Sequence, residues 1–492
     1  MERLTRLKLL NYIKNTYKQV NVPVFILILI TITLCYLFFL LPHYSPDSYV
    51  VILDQVNFAI RLSSQGRPIS SLLIYSFNIL GINLVHSQIY FTVTAIFFIS
   101  LSTYLLFNNL KKIWKLNSRL LKLITLLGIL AIVANIFTAD LFGFPEMTLC
   151  FSLALFFCVL ALISSTHVSR HQIIITIFWL SLSLLTYQSW GSIFIPLAII
   201  ISSPKLRSLF KVLIIYITSA TINVLYIKYI HLLLFPEVID SRTGFGQITS
   251  NSIIIFKSLK TIFFNTISFY PAGIFLLLIL LIGIIIILSI NIRKGKSLII
   301  LVLSISSLLI ISFLPHLVSG DIWLSARSLI GIASLVGILA LFWLSQKKKS
   351  TSSSASYFLL ILLVGFILSS IISINITARI QFIINQQDKL LIQRSETLIS
   401  SYENRTKLKI KVIYYKYSSD YSPCYSYYNC TDSNSSALGQ SWTLPALFNI
   451  YADRLVDFQP FNKDIPISGE QKSIDDILSW QFNEDKAYMY LK

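Results

Sequence analysis

Charge is scarce in this chain. Asp, Glu, Lys and Arg make up 12% of its 492 residues and hydrophobic residues 55%. A soluble domain carries about twice that share of charge, so a soluble globular protein is excluded. Cysteine is rare too, with five in all, which excludes a disulfide scaffold. Cys35, Cys150 and Cys158 lie in or beside apolar runs and read as small hydrophobes. Cys424 and Cys430 lie in the tail, where an oxidising compartment would let them close a small loop. Zinc spacing, a Walker-type or dinucleotide glycine motif and a Ser-His-Asp pattern are all missing. No metal site and no cofactor are therefore expected; a lone acid could hold a divalent cation, but nothing demands one. The alternating ten-residue segments of a membrane β-barrel are absent. So are a short fixed repeat and any likeness between the two halves, which argues against an inverted-repeat transporter.

What the chain has is apolar runs of about 15 to 24 residues, each near the length that crosses a hydrocarbon core. They fall at 22–42, 87–107, 123–139, 147–165, 173–187, 190–203, 209–232, 272–291, 298–314, 327–345 and 357–375. The first is too long for a signal-peptide core and lacks a cleavage site, so it reads as an uncleaved helix. The net charge of +19 lies wholly before residue 376, where 27 Lys and Arg face 8 Asp and Glu. No basic arm or aromatic platform accompanies it, so nucleic acid is not an expected partner. The basic residues fall in alternate loops: Arg3 to Lys18, Lys111 to Lys122, Arg170, Lys205 to Lys211, Arg293 to Lys296 and Lys347 to Lys349. Asp47, Asp54, Asp140, Glu146, Glu237, Asp240 and Asp321 fall in the others. That is the positive-inside pattern. It predicts an all-α polytopic membrane protein of about eleven transmembrane helices. A cytoplasmic segment, 1–21, precedes a membrane region, 22–375, with a large outside loop at 43–86. An extracytoplasmic tail, 376–492, follows. Within the tail the pattern predicts a helix over 379–404, a strand over 408–416 and a helix over 443–458, a small α+β domain.

The outside loops hold the residues able to do chemistry. Asp47, Asp54 and Arg61 recur every seven residues, which predicts one amphipathic helix over 47–65 lying on the membrane surface. Gly66 reads as its C-cap and Pro68 as its stop. A carboxylate at that depth is either a solvated face or a general base. Glu146 after Pro145 reads as a helix-start acid. Asp140 sits at a helix end that disfavours negative charge, and Arg327 at a helix start that disfavours positive charge, so each points to a partner. Gln188, in the hairpin tip Tyr187-Gln188-Ser189, either binds a sugar hydroxyl or satisfies backbone groups.

Four features occur in a characteristic order: the acidic site followed by Gln65-Gly66-Arg67-Pro68, the run Asp140-Leu141-Phe142-Gly143-Phe144-Pro145-Glu146, Tyr187-Gln188-Ser189, and Asn375 with the helix through Gln387-Asp388. In these the chain resembles the glucosyltransferase-II-type family of bacterial O-antigen glucosyltransferases, multi-pass enzymes of the GT-C superfamily. The resemblance implies a GT-C-like fold in the bacterial inner membrane with a periplasmic tail. It implies an inverting transfer of glucose or a related hexose from a polyprenyl-phosphate carrier to a lipid-linked or lipopolysaccharide glycan. Membrane lipid, a donor synthase and a flippase are the companions it suggests. On this view Asp47 is the base, Asp140 orients a substrate, Arg67 and Arg327 bind the donor phosphate, and Glu146 and Gln188 bind substrate. The family often pairs two aspartates after the first helix; here the site reads Pro46-Asp47-Ser48, which leaves Asp54 open as the base. A lipid-linked glycan flippase would need charge at mid-membrane and an O-antigen polymerase arginine-rich outside loops; both remain the alternatives.

Overall fold

The computed structural model describes residues 21–166, 169–201, 206–238, 246, 248–267, 295–318, 320, 324–346, 354–418, 435–461, 470–474 and 478–491. The expected span at 272–291, the Lys347–Lys349 cluster, Asp240, Asp321 and the Cys424–Cys430 pair lie outside the described residues.

The regular elements of the membrane part are all helical among the described residues. Its helices are α1 (Val22–Cys35), α2 (Pro46–Leu53), α3 (Gln55–Ser64), α4 (Pro68–Ile79), α5 (Gln88–Ile113), α6 (Arg119–Val133), α7 (Ile136–Phe142), α8 (Thr148–Ser165), α9 (Arg170–Thr186), α10 (Phe194–Ile201), α11 (Leu206–Leu225), α12 (Ile248–Ile267), α13 (Gly295–Val318), α14 (Leu335–Gln346) and α15 (Ser354–Thr406). Among the described residues five helical stretches are long and apolar enough to cross a membrane, and six if the bent pair α6–α7 is one span. Others of the expected runs fold as apolar helices of 10–17 residues, among them α1 and α9. The membrane character is plain in the side chains as well. Ile26, Leu27 and Ile30 on α1, Ile214 and Ile217 on α11, Phe256 on α12 and Ile361 on α15 all point outward and exposed, as lipid-facing residues do.

Two helices differ from expectation for the same local reason. The run at 123–139 is broken after Val133, and its halves bend by 52°. The Asn135 side chain caps α7, accepting from the N–H groups of Phe137 at 3.1 Å and Thr138 at 3.2 Å, so it competes with continuation of α6. The helix expected over 47–65 is likewise broken at Asp54, whose carboxylate caps α3. Asp47, Asp54 and Arg61 are therefore not on one continuous stripe. Gly66 ends α3 with φ +76, a left-handed conformation glycine adopts readily, and Pro68 opens α4.

The run at 357–375 and the helix expected over 379–404 are one element. α15 has 53 residues, close to 80 Å of helix. It leaves the apolar layer and continues as the spine of the C-terminal domain. There a mixed sheet has the order β2 (Asp457–Pro460), β1 (Val412–Tyr417), β5 (Lys486–Leu491), β4 (Leu478–Asn483), β3 (Glu470–Ile474). β1 runs parallel to both β2 and β5, while β4 is antiparallel to its neighbours β5 and β3. One sheet face, with Ile413, Trp480, Phe482, Ala487 and Met489, packs with Leu391, Ile392 and Ile399 of α15 and Leu447 and Phe448 of α16 (Leu444–Ala452). The predicted α+β tail is thus present, with α16 ending at Ala452 where the sequence suggested 458. Tyr49 of α2 belongs to the same apolar cluster. The C-terminal domain is therefore packed onto α2.

Candidate functional site

α15 holds several loops in place through a row of polar side chains. Asn375 Nδ2 donates to the Leu34 carbonyl at 2.9 Å and its Oδ1 accepts from Phe38 N–H at 3.1 Å, closing the end of α1. One and a half turns on, Gln381 Nε2 donates to the Gly143 carbonyl at 2.8 Å. Asn385 takes both the N–H and the carbonyl of Tyr44. Asp388, fully buried, accepts from Ser436 Oγ at 2.6 Å and Ala437 N–H at 2.8 Å. Residues 381, 385 and 388 are four and three apart, so they share one helix face. The loops carrying Asp47 and Asp140–Glu146 and the turn after residue 435 are all hung on that face.

Asp47 and Glu146 come together at its edge. The segment Ser45-Pro46-Asp47-Ser48 starts α2 through a reciprocal Ser45–Ser48 cap, with proline in the first turn. Asp47 is half-buried in that turn, where the helix dipole favours an anion. Ser45 Oγ donates to Glu146 Oε1 at 3.1 Å and Ser48 Oγ to Oε2 at 2.7 Å. Glu146 is 2% exposed. Burial first, and the neighbouring Asp47 charge second, push its carboxyl up to about 7, against the two serine hydroxyls. Glu146 is not in the first turn of α8, which begins at Thr148, so the helix-start explanation does not apply. Its place is the floor beneath Asp47.

Asp140 lies in the last turn of α7 and is fully buried. Its charge is met by Arg327, whose backbone N–H donates to Oδ2 at 3.2 Å and whose Nη1 lies 4.0 Å from the same oxygen. The guanidinium lies over the Phe144 ring, 3.8 Å from its centroid. Each charge at an electrostatically wrong helix end is therefore answered by the other. Arg67 has a parallel setting. Its Nε donates to Gln188 Oε1 at 3.1 Å, and the guanidinium lies 4.6 Å over the Tyr187 ring. Gln188 Nε2 donates to the carbonyls of Gln65 and Gly66, both at 3.0 Å. Gln188 is thus engaged with the backbone and with Arg67; it sets the shape of the arginine loop. Asn223 adds a third hold, Nδ2 to the Gly66 carbonyl at 2.7 Å. The π-helical turn Tyr226–His231 after α11 ties in Ser63, which lies 3.0 Å from His231 Nδ1.

Asp54 is placed differently. It accepts from Asn57 N–H at 2.9 Å and from the Asn57 side-chain amide, both local to α3. Sequence reasoning missed Ser45, Ser48, Gln381 and Asn385, and also His43. The buried His43 ring has Nδ1 at 2.8 Å from the Leu41 carbonyl and Nε2 at 2.9 Å from the Phe142 carbonyl, joining the two acidic loops. Burial pushes it below its usual value, against both carbonyls. A spaced Ser-x-x-Ser before an apolar helix was the available signal for the cap.

Two carboxyls thus share one spot, and two arginines are held over aromatic rings, Arg67 beside Gln188 and Arg327 beside Asp140. Among the described residues no His, Cys, Asp or Glu group of three or more has the arrangement of a metal site. Comparison with models of protein families, with curated proteins and with solved structures finds no match to this chain.

Proposed function

We propose that the chain is a multi-pass, GT-C-like inverting glycosyltransferase. It moves glucose or a related hexose from a polyprenyl-phosphate carrier to a glycan acceptor at the periplasmic face of the bacterial inner membrane. The eleven crossings, cytoplasmic N-terminus and periplasmic C-terminal domain read from the charges belong to this proposal. The observation that carries it is the unequal carboxyl pair. Asp47 is half-buried at a helix start, while Glu146 beside it is buried between Ser45 and Ser48, its carboxyl pushed up to about 7. Neighbouring carboxyls in environments this different divide acid and base roles between them.

In the reaction the acceptor O–H gives its proton to the Asp47 carboxylate. The acceptor oxygen forms a bond to C1 of the hexose, and the bond from C1 to the phosphate oxygen breaks with inversion. The electron pair leaves on polyprenyl phosphate, whose growing charge is met by Arg67 and Arg327. Glu146, when protonated, limits the negative charge of the pair to one. Asp140 holds Arg327 in place.

The test is turnover of radiolabelled polyprenyl-phosphate-glucose, and of other polyprenyl-phosphate hexoses, by purified protein supplied with the cell's own surface glycan. Labelled glycan is the expected product. Movement of labelled lipid across vesicles without sugar transfer would replace the proposal with a flippase.

A further inference from the structure

The C-terminal domain has no part in the transfer as just described, yet it is built against the helix that bears Asp47. α16 and the 3-10 turn Ser441–Thr443 both pack on α2. The hydroxyls of Tyr49 on α2 and Tyr451 on α16 lie 3.1 Å apart, and Tyr44 is half-buried beside Tyr49, the ring centroids 5.6 Å apart. At this seam sits Trp442, 45% exposed. Its indole makes no hydrogen bond or ring contact to any described residue.

We infer that Trp442, with the half-buried Gln440 and Ser441 beside it, is a stacking subsite for a pyranose unit of the glycan acceptor, delivering its hydroxyl to Asp47. This rests on the transferase reading above. A pyranose has an apolar C–H face and a rim of hydroxyls. An indole 45% exposed and flanked by amide and hydroxyl groups matches both. The contrary use of an exposed tryptophan is as an anchor among lipid headgroups. Height argues against it. The turn is hung from Asp388 through Ser436 and Ala437. Asp388 stands nine residues beyond Arg379, the first charge after the apolar run, which is about 14 Å of helix. The headgroup layer on each side is only about 5–8 Å deep. On the transferase reading, a turn hung that far along α15 falls beyond the headgroup layer, on the side of the glycan.

The experiment uses the full-length protein with Trp442→Ala and Trp442→Phe. In transfer assays the alanine variant is expected to raise the acceptor KM about tenfold, with donor KM within twofold of wild type and the phenylalanine variant near wild type. An unchanged acceptor KM, or a loss confined to donor KM, overturns the subsite. A second readout needs no catalysis. Saturation-transfer NMR of wild type with delipidated surface polysaccharide should show contact that Trp442→Ala removes; contact equal in both overturns it. If the wild type consumes no polyprenyl-phosphate hexose but still binds glycan through Trp442, the transferase reading falls and the subsite stands. Fluorescence in nanodiscs containing brominated lipid decides the anchor. Wild type, which carries one indole out of reach of the bromines, should be quenched to a smaller fraction than Trp442→Phe, and a larger fraction in wild type overturns the proposal.

Discussion

Asn385 holds Tyr44 by both of its main-chain polar groups: Nδ2 donates to the Tyr44 carbonyl at 2.9 Å, and Oδ1 accepts the Tyr44 N–H at 2.8 Å. The two residues are 341 apart in sequence. Tyr44 is three residues before Asp47, so this pair sets where the candidate base stands relative to the long helix. Asn385→Leu, of similar volume, leaves both Tyr44 groups without their partner. Loss of stability should be about 1–3 kcal/mol. Because the loop is loosened at its root, turnover should fall by tenfold or more while donor binding is kept. Thermal unfolding and single-turnover rates of the purified variant check this; a variant with unchanged turnover would show that the pair serves the fold alone.

Glu146 makes stability depend on pH in a stated direction. Its folded-state carboxyl is raised to about 7 from an ordinary 4.5. Between those values the folded state holds a proton that the unfolded state has released. Stability is therefore full below about 4.5 and declines as pH rises through about 7, where the carboxylate must be carried buried. The limiting loss is about 3 kcal/mol. Glu146→Gln has nothing to ionise, and its amide can still meet the Ser45 and Ser48 hydroxyls. The difference in melting temperature between Glu146→Gln and wild type should therefore grow in favour of the variant from pH 5 to pH 8. A constant difference would mean that Glu146 is ionised throughout.

Gly66 carries φ +76, and a methyl group placed there would lie 2.6 Å from Ile227 Cδ1. Gly66→Ala is thus opposed by backbone and neighbour alike. Together these should cost about 1–3 kcal/mol and shift Arg67, the next residue, away from Gln188. Donor KM should rise more than acceptor KM. Adding Ile227→Ala relieves the clash and leaves the φ penalty, so the double variant should recover in part; full recovery would show that the left-handed backbone is not required.

Much of this organisation was legible in the sequence. The Asp140 and Arg327 charges at unfavourable helix ends announced that each needed a partner. They prove to partner one another. Apolar spacing does not find the buried face of α15: Leu390 is exposed, while Gln381, Asn385, Asp388 and Ser395 are buried. A pattern search for apolar positions passes over a face whose interior residues are polar and satisfied by distant loops. The break at Asp54 was hidden for a related reason. An aspartate within a helical pattern gives no sign whether it rides the surface or caps a new start. Glu146 was assigned to the helix dipole because its partners, Ser45 and Ser48, lie about a hundred residues away.

The remaining question is which carboxyl takes the proton, and the local geometry separates the candidates. Asp54 accepts from the backbone N–H and side-chain amide of Asn57, so its two oxygens are occupied in starting α3. Asparagine caps a helix about as well as aspartate. Asp54→Asn should therefore keep turnover within about threefold of wild type and stability within about 0.5 kcal/mol. Asp47 instead stands in the first turn of α2 with the buried Glu146 beside it. Asp47→Asn keeps the shape and removes the proton acceptor, so turnover should fall by about 10² to 10⁴. Glu146→Gln should lie between them, since it preserves the floor under Asp47 and removes only an exchangeable proton. The assay is transfer of radiolabelled hexose from polyprenyl phosphate by each variant at matched expression, read across pH 5 to 8. Loss in Asp54→Asn with turnover retained in Asp47→Asn would move the base to Asp54. Full turnover in all three would end the carboxylate mechanism and leave these acids as the framework of the loops.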